Sequence, residues 1–158
     1  MLVAVFCTSA AAQGSGTTPR DTTPPLLRGL SVTNARFRVG TKSTAQFAAN
    51  RGTPVGTTFK MNVSEPGTVV IAIAGKLAGR EAGSRCVVGG TRGRRCALIV
   101  EPGAIVRFHR GPGNVSIPFS GTLDSTRLKP GSYVAVAAAL DEAENESNIE
   151  FVRFTVVP

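Results

Sequence analysis

Alternating apolar and polar positions in the middle of the chain predict β-strands. Residues 57–64 (TTFKMNVS) place Phe, Met and Val at every second position, which is the period expected of a strand with one buried face. Residues 68–74 (TVVIAIA) form a β-branched, apolar run typical of a central strand. Glu65-Pro66-Gly67 separates the two segments with residues that favour a turn.

Further short strands are predicted along the rest of the chain. The 18 Gly and 10 Pro residues favour many turns, and no long segment has the apolar period of a helix. About seven strands at regular spacing predict an all-β fold of two packed antiparallel sheets. The other predicted strands are residues 30–32, 96–100 (continued by 105–108 beyond Pro102-Gly103), 114–119, 132–140 and 151–157.

The segment 128–133 (LKPGSY) predicts a sharp corner before the strand at 132–140. Pro130 and Gly131 turn the chain, and Tyr133, the single tyrosine, follows them. We expect its ring to fill the corner and its hydroxyl to bond to backbone a few residues upstream, as in the tyrosine corner of Greek-key sandwiches. Leu128, Pro130, Gly131 and Tyr133 form this predicted structural site, and an ordinary half-buried tyrosine is the alternative.

The first residues have the pattern of an export signal. An apolar stretch at residues 2–6 precedes Ala10-Ala11-Ala12, a small-residue cleavage pattern. No Lys or Arg precedes the apolar stretch, so either the leader is atypical or the true translation start lies upstream. A buried N-terminal element and a lipid anchor on Cys7 are the alternatives. No apolar run reaches the ~20 residues of a transmembrane helix. The prediction is a secreted or cell-surface protein with a signal peptide at 1–12, a flexible polar lead at 13–25 and one domain at 26–158.

Two cysteines remain after removal of the leader, Cys86 and Cys96. An even number in an exported chain predicts a disulfide. Residues 87–95 are rich in turn formers and arginines, so we expect a disulfide-closed basic hairpin loop at 86–96 with its tip in solvent. Closing this loop should stabilise the fold by roughly 2–3 kcal/mol. Half a zinc site is the alternative, although zinc prefers four ligands at paired spacings.

The net charge of +8 is unevenly distributed. Arg85, Arg92, Arg94 and Arg95 cluster in or beside the predicted loop, and a later segment, 107–110 (RFHR), could fold back beside them. Guanidinium groups pair with phosphate or carboxylate in bidentate fashion, so the loop is a candidate polyanion contact. Cell-wall polymers, acidic polysaccharides, lipid head groups and extracellular DNA are the anions considered, and a merely solubilising tip is the alternative. Dedicated nucleic-acid binding is not predicted, because no aromatic residues are interleaved.

The acidic run at 141–150 offers oxygen ligands for calcium together with Asn145 and Asn148. Its spacing does not match an EF-hand loop, so a solvated loop is preferred. The chain has one histidine, His109, and no catalytic sequence motif. We therefore expect no enzymatic activity, cofactor or metal.

Several further segments occur in a recognisable order. They are 21–25 (DTTPP), 30–32 (LSV), 36–40 (RFRVG), 51–53 (RGT), Ser64-Glu65, 79–85 leading into the two-Cys loop, 128–133 (LKPGSY) and 141–145 (DEAEN). This order resembles the immunoglobulin-like, fibronectin type III-like domains of bacterial extracellular proteins, although Glu144 stands where such domains usually have Gly.

The resemblance implies an immunoglobulin-like Greek-key sandwich that serves as an extracellular adhesion, binding or spacer module. We expect a secreted, non-catalytic binding or adhesion module of the cell surface or envelope. Its partner would be a cell-wall or other extracellular polyanion, or another surface protein. A purely structural spacer without a ligand is the alternative.

Overall fold

A computed structural model describes residues 20–41 and 52–158. The regular secondary structure assigned in these ranges consists of β-strands alone, which confirms the all-β prediction for this part of the chain. No helix long and apolar enough to cross a membrane is found among these residues. The predicted signal peptide, Cys7 and residues 13–19 of the predicted lead lie outside the described residues. The strands are β1 (Leu27–Val32), β2 (Arg36–Arg38), β3 (Thr57–Val63), β4 (Gly67–Ala82), β5 (Arg85–Val88), β6 (Arg95–His109), β7 (Gly113–Phe119), β8 (Thr122–Leu123), β9 (Thr126–Arg127), β10 (Gly131–Leu140) and β11 (Glu150–Val157).

The strands of the described residues form three sheets rather than the predicted two. A three-stranded sheet has the order β1-β3-β7, and a six-stranded sheet has the order β2-β11-β10-β4-β5 with β6 also paired to β4. Strands β8 and β9 form a small hairpin. The pairs are antiparallel except for β2 with β11. The additional strands have two to four residues, too few for an alternating pattern to predict them.

Aromatic side chains from both large sheets meet in one core. The Phe154 ring of β11 lies 6.1 Å from Phe59 of β3 and 6.2 Å from Phe119 of β7, in both cases edge to face. On its own sheet it stacks on Phe37 at 5.5 Å and on Tyr133 at 5.4 Å. Such pairs each contribute about 0.5–1.5 kcal/mol beyond their buried area. The chain lacks Trp, and these phenylalanines with Tyr133 form the aromatic part of a core that is otherwise aliphatic.

The predicted corner precedes β10. Tyr133 is 2% exposed and its hydroxyl donates a hydrogen bond to the Lys129 carbonyl at 2.7 Å, which is the contact that the tyrosine-corner prediction requires. Desolvation raises the pKa of this phenol and outweighs the opposing effect of the hydrogen bond. Leu128 is buried and Pro130 is exposed. A methyl group at Gly131 would lie 2.5 Å from a leucine side chain of β4, so the corner packs directly on that strand.

The last residues of the predicted polar lead are attached to the folded body. Arg20 donates a hydrogen bond to the Ala143 carbonyl at 2.8 Å, and the Asn145 side chain donates one to the Asp21 carbonyl at 3.1 Å. The loop after β10 therefore supplies partners for polar residues that would otherwise be solvated. Arg20 and Asp21, within the predicted flexible lead, are therefore bonded to the folded body.

Strand β4 runs further than the alternating pattern predicts, and β6 has the extended course expected of it. Strand β4 continues eight residues beyond Ala74 to Ala82, and β6 runs without interruption through Pro102-Gly103, as anticipated. The register against β4 shifts near this proline, and an irregular position of this kind tolerates a residue without an N–H donor. The second half of β4 leaves the core between β5 and the start of β6. Residues 79–96 are called the basic arm below.

Candidate functional site

The basic arm is built around β4. Gly79 of β4 is opposite Val88 of β5 and also opposite Cys96 of β6, so the two strands occupy the two edges of β4. The predicted hairpin at 86–96 is therefore wrong, since β5 and β6 each pair with β4. The actual hairpin joins β4 to β5 through Gly83, whose φ of 62° suits the first central position of a type II′ turn.

The disulfide joins the two outer strands of the arm across β4. The sulfurs of Cys86 and Cys96 lie 2.03 Å apart and their Cα atoms 5.8 Å apart, which confirms the predicted pair. A Cβ atom on Gly79 would lie 2.8 Å from the Cys86 sulfur and 2.7 Å from the Val87 carbonyl oxygen. Only glycine leaves room for this approach, so Gly79 is part of the site that holds the arm closed.

Three arginines share one face of the arm. Arg80 is opposite Arg95 on one side and Val87 on the other, and Arg85 is opposite Ala82. Paired residues point to the same face of a sheet, and this face is opposite the one that carries the disulfide. Arg80 was missed at the sequence level. A pattern that could have indicated it is the two-residue spacing from Lys76 to Ala78 and Arg80, which places these side chains on one face of β4.

The remaining predicted arginines lie in the connection between β5 and β6. Arg92 is exposed. The Arg94 side chain, 88% exposed, lies 3.8 Å from a Glu81 carboxylate oxygen, and Arg80 donates a hydrogen bond to the Gly93 carbonyl at 3.3 Å. An exposed ion pair of this kind contributes little to stability, so the guanidinium of Arg94 remains available to a ligand.

The segment 107–110 does not fold back beside the arm, and that expectation is wrong. Arg107 is opposite Val69 and His109 opposite Gly67, whereas Arg95 is opposite Arg80. Eleven residues of β4 separate the two places, about 36 Å at the rise of a strand. The His109 Nδ1 atom lies 3.0 Å from the Gly111 carbonyl oxygen.

A groove between β6, β7 and the β8–β9 hairpin has a volume of about 910 Å³ and includes Arg107, Asp124 and Arg127 in its lining. The guanidinium of Arg127 donates to the Val39 carbonyl at 3.0 Å, and that of Arg107 donates to the Val106 carbonyl at 2.8 Å. Both cations are thus partly engaged by backbone. Sequence reasoning missed this groove because the hairpin that forms its wall has strands of only two residues.

The acidic loop after β10 is organised by its own amides. The Asp141 carboxylate accepts hydrogen bonds from the backbone and side-chain nitrogens of Asn145, both at 2.8 Å. Asn148 accepts from the Leu27 amide at 3.0 Å and donates to the Leu27 carbonyl at 2.8 Å. The two asparagines considered as calcium ligands therefore fasten the loop and the start of β1.

Among the described residues, the three carboxylates that lie close together share only Asp141 with the run considered for calcium. Oxygens of Asp21, Glu65 and Asp141 lie within 4.8 Å of one another. Desolvation raises the pKa of Asp141, but hydrogen bonds from Asn145 and Ala143 and the charge of Arg20 lower it to below its usual value. Asp141 would be ionised at neutral pH even at its usual pKa, and these contacts keep it ionised to lower pH.

Comparison with protein-family models finds no match, and none of the curated proteins matches the chain. The functional conclusion consequently depends on the geometry of the arm.

Proposed function

We propose that this protein is a secreted, non-catalytic binding module that contacts a polyanion through its basic arm. The observation that carries the proposal is the register of Arg80 and Arg95, which are directly opposite each other. Like charges in opposed positions are unfavourable, and a bound phosphate, sulfate or carboxylate would relieve the repulsion. Arg85 on the same face and the exposed Arg92 and Arg94 extend the cationic surface.

The rigidity of the arm supports this role. Its strands are hydrogen-bonded on both edges of β4 and linked by the disulfide, so little conformational freedom is lost when a ligand binds. Arginine forks held in this way suit the planar geometry of carboxylate and the oxygens of phosphate. The disulfide also fits the proposed export, because such bonds persist in oxidising compartments.

We infer further that the fold is an immunoglobulin-like Greek-key sandwich. In chain order, β1, β3, β4, β7, β10 and β11 correspond to the A, B, C, E, F and G strands of that fold, with A-B-E in one sheet and C-F-G in the other. The observed orders β1-β3-β7 and β11-β10-β4 fit this scheme. Tyr133 near the start of β10 occupies the tyrosine-corner position of strand F.

Heparin, a soluble sulfated polyanion, is a suitable probe. The variant with Arg92→Ala, Arg94→Ala and Arg95→Ala should elute at much lower salt than the unmodified protein. Its affinity should also depend less on salt, with a log–log slope reduced by about two to three if each arginine contacts one anionic group.

The matched control carries Arg28→Ala, Lys60→Ala and Arg110→Ala, three exposed positions outside the arm. Both triple variants reduce the net charge from +8 to +5, so any difference between them reports position rather than total charge. Equal loss of retention in the two variants would refute the arm as the contact.

The alternative is a structural spacer without a ligand. The hydrogen bond from Arg80 to the Gly93 carbonyl favours it, since it engages one of the arginines within the arm. In that case purified cell wall and heparin would both fail to retain the protein at physiological salt.

A further inference from the structure

The disulfide of the basic arm joins two strands that are not neighbours in the sheet. Strands β5 and β6 lie on opposite edges of β4, and strands in such positions are about 10 Å apart in a flat sheet. The Cα atoms of Cys86 and Cys96 are 5.8 Å apart. The two outer strands are therefore bent toward each other across Gly79, on the face of β4 opposite the one that carries Arg80 and Arg95.

The arm lies outside the core of the protein. Among the described residues, the buried hydrophobic side chains of the core include Leu77 just before the arm and Ile105 after it, but none of the arm itself. Val88 is the arm's partly buried hydrophobic residue that packs against this core. Strand β5 has four residues, and its strand partner in the described part of the chain is β4. Segments with so few buried apolar contacts open locally at low cost, so β5 depends on the disulfide to stay in place and the core does not.

The surroundings of the disulfide favour its exchange with external thiols. Cys86 and Cys96 are half-buried, and the residues on either side of each are exposed. The arm carries five arginines and one carboxylate, that of Glu81, and a positive environment stabilises the thiolate that leaves during exchange. Exposed disulfides are more readily reduced than those enclosed in a core. A reductant can therefore reach this bond without unfolding the protein.

We infer that the Cys86–Cys96 disulfide is a redox switch for polyanion binding by the arm, an inference that rests on the proposed function. A thiolate of an external dithiol attacks one sulfur, forms a mixed disulfide and releases the other cysteine as a thiolate. The second thiol of the dithiol then displaces the remaining protein sulfur, and the reductant leaves as a disulfide. Two electrons pass to the protein, and both cysteines take up a proton to become thiols.

Reduction changes how the arginines are held. Arg80 and Arg95 stay opposed through the pairing of β4 with β6, whereas Arg85 on β5 and the exposed Arg92 and Arg94 in the connection lose their fixed positions. Ordering these three side chains on a ligand then costs conformational freedom, which lowers the affinity. Because binding and reduction are linked, a bound polyanion opposes reduction of the disulfide by the same factor.

The test compares heparin binding by the disulfide-intact protein and by the protein reduced with dithiothreitol. The reduced protein should bind at least about tenfold more weakly at the same salt concentration. Saturating heparin should lower the midpoint potential of the disulfide by about 30 mV for each factor of ten lost in affinity. The variant Cys86→Ser with Cys96→Ser should bind like the reduced protein and should not respond to dithiothreitol. It retains Cys7, so it also controls for that thiol.

Far-UV circular dichroism and the fluorescence of Tyr133, the single tyrosine, should be unchanged on reduction. Loss of both signals would show that reduction unfolds the core, which overturns a switch confined to the arm. Equal heparin affinity of the intact and reduced protein overturns the switch and leaves the proposed function standing. A disulfide-intact protein that does not bind heparin refutes the proposed function and the switch with it. A midpoint potential that heparin leaves unchanged overturns the coupling.

Discussion

The packing of Tyr133 against Gly75 gives a sharp prediction about stability. Gly75 is opposite Tyr133 in the β4–β10 register, and a methyl group there would lie 2.5 Å from one ring carbon and 2.7 Å from another. The ring cannot move away freely, because Phe154 stacks on it at 5.4 Å and the Lys129 carbonyl holds its hydroxyl. Gly75→Ala should therefore lower the free energy of unfolding by about 1–3 kcal/mol, the usual cost of overpacking.

Gly111→Ala is the matched control, since its Cβ would meet nothing within 4 Å and its φ is not positive. It should be neutral or stabilise by up to about 1 kcal/mol through the unfolded chain. Urea unfolding followed by far-UV circular dichroism measures both variants. Tyrosine fluorescence adds a local probe, because the chain has one Tyr and no Trp.

A double-mutant cycle tests the cause of the Gly75 effect. Tyr133→Phe removes the hydroxyl tether, so the ring can shift and Gly75→Ala should cost at least about 0.5 kcal/mol less in that background. The reasoning is refuted if Gly75→Ala is as stable as Gly111→Ala. An identical cost in both backgrounds would show that the hydroxyl does not restrain the ring.

Two further predictions concern the core and the acidic loop. Phe154→Ala should cost about 3–5 kcal/mol, because the ring contacts aromatic residues of both sheets; a loss below about 1 kcal/mol in urea unfolding would show that the sheets do not depend on it. The lowered pKa of Asp141 means that its stabilising effect is complete above the pKa of the unfolded chain and is lost as the pH falls through the lower folded value. Asp141→Asn should thus flatten the fall in melting temperature below about pH 4; an unchanged fall in that variant, measured by circular dichroism, would contradict this.

The sequence predicts most of the core because its strands alternate strictly. Residues 57–63 show this, as Phe59, Met61 and Val63 are buried and the residues between them are polar. Residues 131–140 also bury every second position, but both faces are apolar from Tyr133 onward, so the sequence does not show which face is buried. The corner at Tyr133 could also be predicted, because Pro130 and Gly131 have strong local preferences for a turn. Strand alternation and turn residues depend on positions adjacent in the sequence, so they can be recognised without the three-dimensional structure.

The arm could not be predicted in the same way. Residues 75–82 (GKLAGREA) look like a loop because glycine and alanine have low strand propensity. They form a strand because β6 pairs with them, and β5 also pairs with residues 79–82. This pairing involves residues distant in sequence, so the local sequence does not reveal it. The opposed pair Arg80–Arg95 depends on this pairing, and only the register reveals it. The cationic loop was therefore anticipated in composition, but its arrangement around β4 was not.

The length of β4 has a mechanical consequence. Its 16 residues extend for about 50 Å, from the centre of the six-stranded sheet to the tip of the arm. A force applied by a partner at the tip would act along this strand and load the hydrogen bonds with β10 and β6 in shear. Those bonds would share the load instead of breaking one after another, so the arm should resist a pull along β4 better than one that separates its strands from the end.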